Sequence, residues 1–182
     1  MAIDILHNRA AAKWTFREKV GRVLWATLRP CFRFSPRPIW GWRCGLLRLF
    51  GATIGRHVHI HPSVVVAIPW NLSVGDLTAI GDGAKVYNLG FIRIGQRSTI
   101  SQGAHLCAGT HDYRHKDFPL VKSPITVGDD VWICADAFLG PGVTIADMAI
   151  VAARAVVIRD VPRAAIVAGN PAVTVKTRPL PQ

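Results

Sequence analysis

Aliphatic residues recur every six positions over most of the chain. From Ile94 the series runs through Ile100 and Leu106, and after a break it continues as Val127, Ile133, Leu139, Ile145, Val151 and Val157. The residue four places on from each of these is small or β-branched: Ser98, Ala104, Thr110, Val131, Ala137, Val143, Ala149, Ala155 and Val161. This period matches neither the ~3.6 of a helix nor the ~2 of a half-buried strand. It suits a chain that turns a corner at the end of each segment, with one large and one small side chain pointing inward. Repeats of this kind build a solenoid whose coils bury faces against one another. Three segments make a triangular coil of about 18 residues. An all-β solenoid is the predicted fold.

The phase is already present at Ile54, Ile60 and Val66, resumes two residues late at Val74, Ile80 and Val86, and slips again before Ile94. About five coils follow, at 54–73, 74–93, 94–111, 127–144 and 145–162. Gly55, Gly75, Gly95 and Gly128 each follow an anchor, where glycine permits close approach of stacked backbones. After Leu106 the phase would place an anchor at Asp112, yet the next stands at Val127, so about 15 residues are inserted. Loops of that length inside a compact repeat are usually functional. The loop 111–126, which opens on His111, is therefore the candidate site. Beyond Val161, residues 163–182 leave the phase as a basic, proline-rich extension with a turn at Gly169-Asn170-Pro171.

Residues 1–53 have another character, with arginine interleaved among Trp, Phe and Leu. Thr15 and Glu18 stand at capping-box spacing, so a helix begins there and Pro30 ends it near Arg29. Val20, Val23, Leu24, Thr27 and Leu28 share one side of it, with Arg17, Arg22 and Arg29 elsewhere on its surface. A second helix, about Trp40 to Phe50, carries Trp42, Leu46, Leu47 and Leu49 beside Arg43 and Arg48. Amphipathic helices rich in Trp and Arg suit a membrane surface. They also suit the cap that an open solenoid end requires, and the two roles are compatible.

Charge follows the same division. Residues 1–56 hold 11 Lys/Arg against Asp4 and Glu18, a net of +9, out of +11 for the whole chain. No nucleic-acid-binding motif accompanies this basicity, so nucleic acid is not an expected partner. Cys31, Cys44, Cys107 and Cys134 show no metal-ligand spacing. The first ten residues lack the basic start and apolar core of a signal peptide, and no apolar run reaches the ~20 residues of a membrane span. A cytosolic, reduced protein is expected.

The hexads, the loop opening Thr110-His111-Asp112, the segments VGDDVWI (127–133) and GPGVTI (140–145), and AGNPA (168–172) resemble the hexapeptide-repeat acyltransferases. Relatives in this pattern include galactoside, maltose and nodulation acetyltransferases. The Arg/Trp-rich leader followed by GATIG, with SQGAHLCAGTHDY, is most similar to the colanic-acid-biosynthesis branch. The resemblance covers essentially the whole chain. It implies a left-handed parallel β-helix, against the usual right-handed crossover, assembled as a homotrimer with acetyl-CoA sites between subunits. Cys134, Ala146 and Ala152 depart from the glycine that often follows the anchor in such sequences.

The resemblance further implies an O-acetyltransferase acting on a sugar or lipid-linked glycan in exopolysaccharide synthesis. His111 would be the general base; a histidine with an ordinary pKa of about 6.5 suits that task. Asp112 and a backbone carbonyl are both candidates to orient it. By the same carry-over the Ala135 N–H would support the oxyanion, and the Ala153 stretch would contact the pantetheine arm. Arg159, Lys176 and Arg178 would bind the CoA phosphates, Trp132 would wall the pocket, and Asn88 would contact the acceptor. Such an enzyme would work in the cytoplasm, or peripherally at the cytoplasmic face of the inner membrane.

Two alternatives remain at this point. The alternating His57, His59 and His61 raise a metal site like that of γ-class carbonic anhydrases, but three histidines on one short strand do not converge on a tetrahedral ion. No metal is expected. The other alternative is a non-enzymatic β-helix scaffold anchored by its leader, from which an intact loop with His111 would distinguish an enzyme.

Overall fold

Each anchor of the six-residue phase sits on a short strand with its side chain inward, and the strands stack in parallel into three faces. The computed structural model describes residues 5–179, so the first four residues of the leader and the last three of the extension lie outside the described residues. The first face stacks Ile54, Val74, Ile94, Val127 and Ile145 in register. On the second are Ile60, Ile80, Ile100, Ile133 and Val151, and on the third Val66, Val86, Leu106, Leu139 and Val157. All fifteen are buried. Burying such a side chain is worth about 1.5–3 kcal/mol against an exposed one, so these three ladders supply most of the core.

The coils pack very closely where the first face turns into the second. A Cβ on Gly75 would lie 2.6 Å from the Gln96 nitrogen and 2.7 Å from the Gly95 carbonyl carbon, which no real side chain tolerates. Further round the same corner, left-handed backbone is taken by residues other than glycine, including Leu77 (φ 59°), Arg97 (φ 54°), Asp130 (φ 56°) and Met148 (φ 62°). Each costs about 1–2 kcal/mol, offset by the ladders on either side.

The stack runs further than 162, to about 6 turns. Val161, expected in the small column, forms a parallel bridge with Ile145 on the first face, and Val167 pairs with Val151 on the second. The step from Val157 to Val161 is two residues short of the usual six, and that slip hid the last turn. Ala165–Gly169 adds a parallel strand to the second face, and Ala172–Thr177 returns antiparallel against it.

Three helices precede the coils: α1 (Ile5–Ala10), α2 (Phe16–Arg33) and α3 (Trp40–Leu49). The Thr15–Glu18 capping box opens α2. Its expected end at Arg29 is overrun by a full turn despite Pro30. Phe32, just beyond the proline, is buried edge-on to Trp25 at 6.0 Å, and the Phe34 N–H donates to the Pro30 carbonyl. Tertiary packing there outweighs the one lost N–H. Trp25 and Phe32 form the buried side of α2, whereas Val20, Val23, Leu24 and Leu28 are exposed.

The helices close the open end of the solenoid. Gly55, His61 and Ala67 donate their N–H groups to the second coil, and the carbonyls of the anchors just before them, Ile54, Ile60 and Val66, point the other way, toward the helices. One side chain meets each face: Arg48 donates to Ile54 O, Arg43 to Ile60 O and Trp25 Nε1 to Val66 O. Arg43 is fully buried. Its guanidinium also donates to Ser35 Oγ and to the Pro36 and Arg37 carbonyls.

Candidate active site

His111 stands exposed on a two-residue strand, Thr110–His111, which pairs antiparallel with Leu120–Val121 where the loop leaves the third face. The hairpin brings His111 Nδ1 to 2.7 Å from the Phe118 carbonyl oxygen. A carbonyl oxygen can only accept, so Nδ1 carries the proton and Nε2 presents a lone pair. That is the tautomer a general base needs.

Asp112 does not hold this ring. Its carboxylate accepts the Arg114 N–H and His115 Nδ1–H, each at 2.9 Å. These bonds, the Arg114 N–H foremost, lower its pKa below the ordinary carboxylate value. His111 is thus bonded to the Phe118 carbonyl, and Asp112 is bonded within the loop.

A pocket of about 350 Å³ lies between α1 and this loop, lined among others by Asn8, Lys13, His115, Asp117 and Lys122. Asp117 Oδ1 is buried there without a hydrogen-bond partner among the described residues. Two bonds of Asn8 tie the leader to the loop, from Nδ2 to the carbonyls of Asp117 (2.6 Å) and Phe118 (2.5 Å).

Asn88 is not available to an acceptor. It is fully buried, and its amide accepts the Ile68 N–H and donates to the Ile68 carbonyl across adjacent coils. A polar side chain in a corner between apolar ladders stays only if the backbone satisfies it. Trp132 lies half exposed on the second face, its indole N–H donating to Ser101 Oγ at 2.9 Å. Within one chain it and His111 therefore belong to different faces.

The remaining predicted residues spread over all three corners. Ala135 and Ala153 stack one coil apart between the second and third faces, joined by the Arg154 N–H on the Ala135 carbonyl. Arg159 is exposed between the third and first faces, and Lys176 is exposed on the returning strand. Arg178 comes back to the corner between the first and second, where its Nη1 donates to the Asp130 and Met148 carbonyls. Those bonds tie one nitrogen of the guanidinium to the chain.

No family model matches the chain. Its sequence is 44% identical over 154 residues, 85% of each chain, to "Putative colanic acid biosynthesis acetyltransferase WcaF" of Escherichia coli. The chain belongs to the hexapeptide-repeat acetyltransferases. A hexapeptide-repeat acetyltransferase of Vibrio cholerae, solved with acetyl coenzyme A, shares 25% identity and a TM-score of 0.83 over 91% of both chains. A galactoside acetyltransferase solved with coenzyme A shares the fold at a TM-score of 0.84, over 96% of this chain and 91% of that one. The coil of this acetyltransferase is the left-handed one of its relatives.

The metal alternative loses its geometry in this acetyltransferase. Only His59 lies on the strand; His57 and His61 fall at the flanking corners, and His59 stacks on Trp40 at 4.8 Å. Among the described residues no group of three or more His, Cys, Asp or Glu is placed to hold an ion. Sequence reading missed Phe118, which acts through its backbone, and Asn8, whose bond to it spans 110 positions.

Proposed function

We propose that this acetyltransferase moves the acetyl group of acetyl-CoA to a sugar hydroxyl, with His111 as general base. The observation that carries the reading is His111 held by Nδ1 on a carbonyl with Nε2 free, on the loop that interrupts the coil. Nε2 takes the hydroxyl proton as the acceptor oxygen attacks the thioester carbonyl carbon. The tetrahedral oxyanion, supported by the Ala135 N–H, collapses with cleavage of the C–S bond. His111 returns the proton to the departing CoA sulfur.

Acetyl-CoA as co-substrate is supported by the coenzyme in the Vibrio cholerae relative. The small Ala135 and Ala153 leave room for a pantetheine arm at their corner. Arg159 and Lys176 are the cations for its phosphates, while Arg178 anchors the returning strand. A homotrimer accounts for Trp132 and His111 serving one reaction from different faces, each site taking the loop of one subunit and the second face of another. Thioester cleavage with a panel of sugar acceptors tests the reading. Saturable, acceptor-dependent CoA release supports it, and neither binding nor release of CoA would sink it.

The leader supports work at the cytoplasmic face of a membrane on a lipid-linked acceptor. Among the described residues no helix is long and apolar enough to cross a membrane, so the contact is peripheral. On α2 the exposed residues Phe16 (81%), Val20, Val23 (63%), Leu24 and Leu28 form one stripe, while Lys19, Arg22, Arg29 and Arg33 flank it by helical position. Apolar residues beside cations match the headgroup region of an anionic bilayer. The intact chain is expected to float with anionic vesicles and the Val23→Gln, Leu24→Gln double variant to stay behind. If the intact chain does not float, the location is wrong; if the variant instead loses its oligomeric state, the stripe joins copies of the chain.

A further inference from the structure

The leader reaches the proposed base through one side chain. Resting on the reading of His111 as base, we infer that Asn8 is a positioning residue that fixes the carbonyl on which His111 is mounted. The Phe118 oxygen receives two donors, one from its own loop and one from the leader, His111 Nδ1 at 2.7 Å and Asn8 Nδ2 at 2.5 Å. The second hydrogen of the same amide goes to the neighbouring Asp117 carbonyl at 2.6 Å. Two successive carbonyls are thereby pinned by one planar group.

The orientation of that amide is itself enforced. Lys13 Nζ donates to Asn8 Oδ1 at 2.7 Å, which a flipped amide, offering its NH₂ to the ammonium, could not accept. Lys13 is in turn held by its own carbonyl, which takes Lys122 Nζ from the far side of the loop. Lys122 also lies 3.8 Å from the centre of the Trp14 ring and 3.9 Å from Glu18. Leader and loop are thus stitched in both directions.

The loop needs such a brace. Phe118 has φ 45°, a left-handed conformation unfavourable for a bulky side chain. The loop strands are two residues each, Thr110 and His111 are exposed, and Leu120 and Val121 are only half-buried. Few packing contacts would hold the Phe118 carbonyl toward His111 if Asn8 let go. With that carbonyl free to rotate, the Nδ1 proton loses its fixed acceptor and the ring populates the tautomer with the proton on Nε2, which cannot act as base.

Asn8→Asp separates this role from space-filling, because aspartate has nearly the same shape but sets carboxylate oxygens against two carbonyls. In protein labelled with ¹⁵N-histidine, with His111 assigned by comparison with His111→Ala, the ring nitrogens are expected to report the Nδ1–H tautomer in the wild type. The Asn8→Asp and Asn8→Ala variants are expected to shift toward Nε2–H. Their kcat should fall about tenfold to a hundredfold, as small misplacements do, with KM for acetyl-CoA within about twofold. An Nε2–H tautomer in the wild type, or an Asn8→Asp variant with wild-type tautomer and kcat, overturns the inference. So does a loss of acetyl-CoA affinity in step with kcat. A correct tautomer shift with no dependence of turnover on His111 would instead overturn the choice of base.

Discussion

Alanine at His111 is expected to lower kcat by about 10²–10⁴, equivalent to about 2.7–5.4 kcal/mol of transition-state stabilisation, while acetyl-CoA affinity stays within about twofold. The side chain is exposed and its one described hydrogen bond is to Phe118, so removing it disturbs no core contact. The loss would therefore be chemical. Measuring CoA binding by calorimetry and thioester cleavage under saturating acceptor separates the two quantities. A kcat within about threefold of wild type would place the base elsewhere, and a parallel loss of CoA affinity would make His111 a binding residue.

The largest effect on stability is expected at Arg43. Replacement by alanine leaves the Ile60 carbonyl buried without a donor and releases Ser35 and two loop carbonyls between α2 and α3. An unsatisfied buried acceptor costs about 1–3 kcal/mol, and the vacated volume adds a cavity term. Together they predict a loss of about 3–5 kcal/mol, read as a lower urea midpoint at fixed protein concentration. Lysine should recover only part of it, because a single ammonium cannot span donors that diverge to four acceptors. A midpoint unchanged by Arg43→Ala would mean that the helices do not close the coil through this residue.

Much of the fold was legible because the six-residue phase is written in side chains that do nothing else. Ile94, Ile100 and Leu106 by their spacing alone mark out three faces. The last turn was hidden by a step of four from Val157 to Val161, which made an anchor resemble a corner residue. Leu77 and Met148 carry no sign of the left-handed backbone they adopt, because the neighbouring strands impose it. The apolar spacing of α2 was visible, yet its packed side is set by Trp25 and Phe32, which meet the first coil only in three dimensions.

The site divided along the same line. His111 stood out as the residue at which the repeat fails, whereas Ala135 and Ala153 came from the family resemblance alone. What sequence could not rank was commitment. Asn88 and Arg178 look like free polar groups in one dimension, but backbone partners from another coil consume the Asn88 amide and hold Nη1 of Arg178. Asn8 and Phe118 were invisible for the opposite reason, since an amide and a carbonyl carry no motif and the loop alone brings them together.

The two ends of the coil bear on how copies of this protein can associate. A parallel stack could in principle lengthen indefinitely, each molecule templating the next. At one end three side chains consume the outward carbonyls, and at the other Ala172–Thr177 runs antiparallel to the last strand of the second face. Head-to-tail fibres are thereby disfavoured, and association is left to the flanks of the prism, where a ring of copies can close on itself.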